Sequence, residues 1–150
     1  MSRTATYQTV VTWKGEHRGH ISMGNGPQLE FSAPPDSHGV AGLLTPEDAF
    51  VAAVNTCIML MFLWSCERLK ISLIAYECRA EGTKRIELDR TETFTQVRLM
   101  PKIQVKASDE DPGRVEARIR KALKSAEKYS LVANSIKSEV IIEPVIMTTQ

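Results

Sequence analysis

Thr45-Pro46-Glu47-Asp48-Ala49-Phe50-Val51-Ala52-Ala53-Val54-Asn55-Thr56-Cys57-Ile58 opens the one long helix of this sequence. Thr45 supplies an N-cap oxygen, Pro46 needs no amide donor at the first helical position, and Glu47 and Asp48 place negative charge at the positive end of the helix dipole. The helix is expected to run from Pro46 to about Leu69, with Arg68 and Lys70 near its end. From Ala49 to Trp64 it carries 16 residues interrupted only by Asn55 and Thr56. That is short of the ~20 apolar residues a membrane span needs, so it reads as a core helix and no membrane is expected. Its middle is apolar on every face, so something must cover every face. A chain of 150 residues does this poorly with one sheet. A second copy is the simplest remedy, which predicts a homodimer with this helix near the interface.

On the N-terminal side, Thr4 to Trp13 alternates like a strand, His20 to Met23 forms a second, and Gln28 to Ser32 a third, with the Asn25-Gly26 hairpin signal between the last two. Ala33 to Gly42, with Pro34 and Pro35, reads as a loop. On the C-terminal side, Ile71 to Gly82 is a strand with Ile74, Tyr76, Cys78 and Ala80 on one face. Thr91 to Lys106 is a long strand with Val97, Leu99, Ile103 and Val105 in phase, and Pro101 suggests an edge or a bulge. Ser108 to Pro112 opens a second helix that buries Val115, Ile119, Ala122 and Ala126 and turns Arg114, Arg118, Lys121 and Lys124 outward, with Glu116 and Arg120 paired along it. Ser138 to Met147 closes the chain as a strand. Strand runs interrupted by two helices define an α+β protein, read here as a single domain over residues 1–150.

The 19 basic residues nearly cancel the 18 acidic ones, leaving a net charge of +1 and no bulk attraction to a nucleic acid. The start, Met1-Ser-Arg-Thr-Ala-Thr, lacks a basic stub followed by an apolar run. Three cysteines cannot all pair within one chain, so free thiols in a reducing, cytoplasmic setting are expected.

Cys57 lies mid-helix, where a cysteine is often just a small core hydrophobe. It has no helix N-terminus to help it, so a reactive thiolate there would need a nearby cation. Cys66, nine residues on, falls on the opposite helix face and cannot bridge to Cys57, and Cys78 sits on a strand; both read as structural. His17 and His20 point to opposite sides of a strand and have no cysteine near them, so no metal site is expected. Phosphate loops, nucleophile elbows and zinc ribbons are absent from the sequence, and no cofactor is expected.

Leu44 to Cys57 resembles the opening of this helix in the family of osmotically induced protein C and the organic hydroperoxide resistance proteins (OsmC/Ohr). In that family a Pro-Glu pair starts the helix and a cysteine follows ten residues after the glutamate. Glu47 and Cys57 have this spacing, with Ala49 where leucine is usual. Ala126-Glu127-Lys128-Tyr129-Ser130-Leu131-Val132-Ala133-Asn134-Ser135 is similar to the second motif, with Ala133 in place of a serine and Ser130 in place of the second cysteine. Trp13 to Gly19 is similar to the family's opening strand and turn.

The resemblance implies antiparallel sheets around long central helices in an intertwined homodimer. It implies Cys57 as the thiol that attacks a hydroperoxide, Glu47 as an orienting carboxylate, and a cation that is Arg18 by residue type or His17 by ungapped alignment. Glu47 is about 15 Å from Cys57 along one helix, so these partners would come from the other subunit. Ser130 cannot form the disulfide that the second cysteine makes, so an external thiol would have to reduce the oxidised Cys57. Phe50, Leu60, Met61 and Phe62 would wall the site and favour organic hydroperoxides. The competing expectation is a non-enzymatic dimer that binds a small apolar ligand in an interface pocket, its activity lost with the second cysteine.

Overall fold

The structure, a computed structural model, describes residues 1–107 and 110–149. It forms two compact units, Met1–Phe50 and Val51–Gln150.

In the first unit, β1 (Thr9–Trp13), β2 (Arg18–Met23) and β3 (Gln28–Ser32) make an antiparallel sheet in the order β1-β2-β3. β1 is shorter than expected and β2 begins two residues earlier, because Trp13 pairs with Gly19 and Arg18 with Ser32. The expected hairpin closes β2 and β3: the Met23 amide donates to the Pro27 carbonyl and Gly26 adopts φ +116°. The loop beyond β3 is pinned by Ser32, whose buried hydroxyl donates to the Ala33 carbonyl and accepts from the Val40 amide. Gly39 lies so close that a Cβ there would overlap the Ala33 carbonyl.

Helix α1 (Pro46–Arg68) starts as the sequence predicts, with the Asp48 amide donating to the Thr45 hydroxyl at 3.0 Å. At its other end the Ile71 amide reaches the Cys66 carbonyl and the Lys70 amide the Glu67 carbonyl, a Schellman motif with Lys70 at φ +55°. A left-handed lysine is strained, and Lys70→Gly is expected to stabilise the protein by about 1 kcal/mol, read as a higher denaturation midpoint at unchanged slope.

The second unit carries β4 (Leu73–Ile86), β5 (Glu92–Lys106), α2 (Pro112–Tyr129), the short α3 (Leu131–Asn134), β6 (Glu139–Ile142) and β7 (Val145–Thr149). β4 and β5 form a long antiparallel ribbon. The expected antiparallel pairing holds for β1, β2 and β3 and for β4 with β5, but β6 and β7 both pair with β5 in parallel, because the return through α2 brings the chain back in the direction of β5. Pro101 is neither at an edge nor in a bulge, since it pairs in register with Cys78 of β4. It lies in central β5, between the segment paired with β6 (Gln96–Leu99) and the segment paired with β7 (Lys102–Lys106), where a missing N–H is tolerated. Ile74 is exposed rather than in phase with Tyr76, since a register shift between Leu73 and Ala75 flips the strand's faces.

The core of this unit joins Val97, Leu99, Ile103 and Val105 of β5 to Val115, Ile119, Ala122 and Ala126 of α2. Val54, Ile58, Phe62 and Cys66 of α1 are also fully or almost fully buried. α2 is amphipathic as expected, and Arg120 pairs with Glu116 at 2.9 Å. Arg118, expected in solvent, is instead half-buried: it donates to the Leu69 carbonyl and to Glu110, satisfying an orphan acceptor at the end of α1. Of the expected helix opening at Ser108 to Pro112, Ser108 and Asp109 lie outside the described residues.

On α1 the buried positions 54, 58, 62, 65 and 66 form a single stripe. The opposite face stays open although it is apolar, with Leu60 46% and Trp64 57% exposed. α1 is 23 residues long and holds an 18-residue window of mean hydropathy 1.9, long and apolar enough to cross a membrane and more than the shorter run in the sequence suggested, and 28% of that window is buried.

Candidate active site at Cys57 and Ser130

Seventy-three positions separate Cys57 from Ser130, and the fold brings them into contact. Ser130 is the hinge residue between α2 and α3. It is fully buried, and its hydroxyl accepts from the Ala133 amide at 3.1 Å, capping α3. The same hydroxyl donates to the Cys57 sulfur at 3.1 Å. Two further hydrogen bonds hold the hinge: the Asn134 side chain donates to the Lys128 carbonyl and the Ser135 hydroxyl to the Leu131 carbonyl. The second motif of the sequence is this hinge, which aims the side chain at position 130 onto α1.

Cys57 is half-buried and its thiol is free. The polar residues beside it are already engaged: Thr56 bonds back to the Ala52 and Ala53 carbonyls, and Asn55 donates to the Cys78 carbonyl at 3.1 Å, tying α1 to β4. Glu47 lies half-buried in the first turn of α1, and Arg18 lies exposed at the start of β2. Both belong to the first unit, whereas Cys57 and Ser130 belong to the second. His17 is also exposed, and its ring lies 6.1 Å from that of His38, a pairing that the intervening chain hides from the sequence. Among the described residues, no group of three or more His, Cys, Asp or Glu side chains is placed to hold a metal ion.

Cys66 is buried opposite the open face of α1, and burial, with the Glu67 carboxylate next to it, pushes its thiol up to about 11. At neutral pH it is a protonated core residue. Burial also raises the Cys78 thiol, offset in part by hydrogen bonds from the Tyr76 hydroxyl and the Met100 backbone. The buried Tyr76 hydroxyl has no nitrogen or oxygen partner among the described residues; it meets the Cys78 sulfur, and its own ionisation is displaced upward chiefly by burial. Phe62, expected to wall the site, is fully buried and packs on Tyr76 with ring centroids 5.5 Å apart, so it lines no open site.

These buried acids make an alkaline limit. A proton that binds more tightly in the folded chain stabilises it below the ordinary cysteine value near 9, and that stability is lost as pH rises through about 11. Thermal unfolding is therefore expected to move to lower temperature across this window, and Cys66→Ala should flatten the slope while lowering stability at neutral pH through the small cavity it leaves.

Residues 39–145 match the OsmC-like protein family, and the chain belongs to that family. No curated protein matches the sequence significantly. Among solved structures, an OsmC-like protein of unknown function from Vibrio cholerae superposes with a TM-score of 0.84 at 23% identity, covering 95% of this chain and 100% of that one. An organic hydroperoxide resistance protein OsmC from Legionella pneumophila gives 0.65 at 19% identity, with 96% and 99% covered. The organic hydroperoxide resistance protein OhrB of Bacillus subtilis gives 0.60 at 14% identity, with 95% and 98% covered. At these identities the likeness establishes the fold.

Proposed function

We propose that this protein reduces organic hydroperoxides through Cys57 alone, with an external thiol as reductant. The observation that carries this reading is the 3.1 Å contact between the free Cys57 sulfur and the Ser130 hydroxyl, the residue that the resemblance sets in the place of a second thiol. The Cys57 thiolate attacks the peroxide oxygen, the O–O bond breaks, and the alkoxide leaves with a proton as the alcohol. The sulfur is left as a sulfenic acid. The Ser130 O–H points at the sulfur that supplies the attacking electron pair. Serine cannot close a disulfide, so the sulfenic acid waits for a thiol from outside.

The protein acts as a homodimer in this reading, with the partner covering the open face of α1 around Leu60. The partner also supplies Glu47 and a cation, Arg18 or His17, to each Cys57. A reducing, cytoplasmic compartment suits its free thiols. Met61 follows Cys57 by one helical turn and presents an apolar wall to the substrate.

A second reading is favoured by an apolar cavity of about 440 Å³ in the first unit, lined by Val11, Ile21, Phe31, Leu44, Pro46 and Phe50. A family member that has lost peroxidase chemistry would keep such a cavity for a small apolar ligand, and Ser130 would then serve only as the cap of α3. One experiment separates the two. Reduced protein titrated with cumene hydroperoxide should gain one oxygen at Cys57 by intact and peptide mass, and Cys57→Ala should gain none there and consume no peroxide. A wild-type Cys57 that stays reduced at excess peroxide selects the ligand-binding reading.

A further inference from the structure

From one helical turn beyond Cys57 a cleft of about 220 Å³ opens between α1 and α2, lined by Met61, Trp64, Ser65, Arg68, Ser125 and Tyr129. Cys57, Met61, Trp64 and Arg68 stand at i, i+4, i+7 and i+11 of α1, so they share one helix face. On the other wall, Tyr129 directly precedes Ser130, whose hydroxyl touches the Cys57 sulfur. The Met61 and Tyr129 end of the cleft is therefore the end nearest the thiol.

Its charge is one-sided. Arg68 makes no ion pair among the described residues; its guanidinium is held across the cleft by the Ser125 hydroxyl at 3.0 Å. Lys128 lies over the Tyr129 ring at 5.1 Å from the centroid, a second cation at the same wall. A guanidinium that spends one N–H on Ser125 and stands beside two aromatic rings is suited to a carboxylate on an organic molecule.

We infer that this cleft binds the reductant, a small peptide-like thiol whose carboxylate pairs with Arg68 while its sulfur reaches Cys57. The inference rests on the proposed peroxidase reading, in which Ser130 leaves reduction to an outside thiol. Length narrows the class. Arg68 is eleven residues beyond Cys57, about 16 Å along the axis, and its side chain leans back toward the helix N-terminus. The remaining gap, on the order of 10 Å, suits a thiol and a carboxylate separated by a peptide unit or two rather than a mercaptoacid. The chemistry balances. The thiol attacks the Cys57 sulfenic acid and water leaves, giving a mixed disulfide; a second thiol attacks that disulfide, releasing a free disulfide and reduced Cys57.

The test runs the exchange without peroxide. Reduced protein is mixed with oxidised glutathione, which carries carboxylates, or with 2-hydroxyethyl disulfide, which is neutral, and the mixed disulfide at Cys57 is followed by peptide mass. The wild type should favour oxidised glutathione. Arg68→Gln, which retains a donor for Ser125, should cut that preference by about three- to tenfold, and Arg68→Lys should recover part of it. Added salt should weaken the preference in the wild type only. An unchanged ratio in Arg68→Gln, or a Cys57 inert to both disulfides, overturns the inference. Cumene hydroperoxide oxidation of Cys57, measured on the same variants, should be unaffected. A Cys57 that exchanges with charge preference yet ignores hydroperoxide leaves the cleft assigned and removes the peroxidase reading.

Discussion

Replacing Ser130 by cysteine is expected, under the proposed peroxidase reading, to let oxidised Cys57 close a disulfide instead of stopping at sulfenic acid. The hydroxyl oxygen is already 3.1 Å from the Cys57 sulfur, and the longer C–S bond carries a thiol closer still, toward the ~2.05 Å of a disulfide. After one equivalent of cumene hydroperoxide, the wild type should carry one added oxygen. Ser130→Cys should instead lose two hydrogens and show a peptide cross-linked between positions 57 and 130. An intramolecular thiol competes at an effective concentration far above that of any free thiol, so turnover with a dithiol reductant should rise at least about tenfold. Cys57→Ala in the same background should return it to zero. The exchange weakens the α3 cap, since sulfur accepts poorly from the Ala133 amide, so a loss of about 1 kcal/mol in stability should accompany the gain. A Ser130→Cys protein that folds, oxidises and never cross-links would show that the side chain at 130 cannot meet Cys57 in the working protein.

Leu60→Glu is expected to split the proposed dimer. Leu60 is 46% exposed in the single chain, at the middle of the open α1 face beside Thr56 and Leu63, while the opposite stripe from Val54 to Cys66 is buried. Thr56 uses its hydroxyl on the Ala52 and Ala53 carbonyls and so offers this face mostly a methyl group. In a two-fold dimer the same residue is substituted twice, and two carboxylates would then share an apolar interface. An uncompensated buried charge costs about 3–5 kcal/mol, enough to raise the dissociation constant by at least about a hundredfold. Sedimentation should show a wild-type dimer and a Leu60→Glu monomer at the same concentration. The monomer should also lose peroxide reactivity if the partner supplies the cation and Glu47. A wild type that sediments as a monomer at all concentrations would remove the dimer and the shared site together.

The family resemblance rests on local spacing, and spacing is what a sequence displays. The Thr45 cap, the Pro46-Glu47 opening, Cys57 ten residues later and the Ala126–Ser135 motif are each contiguous, so the helix, the candidate thiol and the α+β order were legible without coordinates. The alternation of β5 was equally plain, because its period of two depends on neighbours in the chain. The structure alone decided what depends on meetings between distant segments. A hydroxyl at position 130 reaches a sulfur at 57, and Arg68 reaches across to Ser125; neither contact has a signature in either local stretch. Pro101 suggested an edge or a bulge and has neither, since the gap it fills lies between two parallel strands that the chain supplies only after α2. Arg118 looked like one more solvated charge until the end of α1 gave it a carbonyl to satisfy. Phe62 looked like a site wall because α1 is apolar all round. Which of its faces turns into the core is set by tertiary packing, and a helix with no polar face carries no information about that choice.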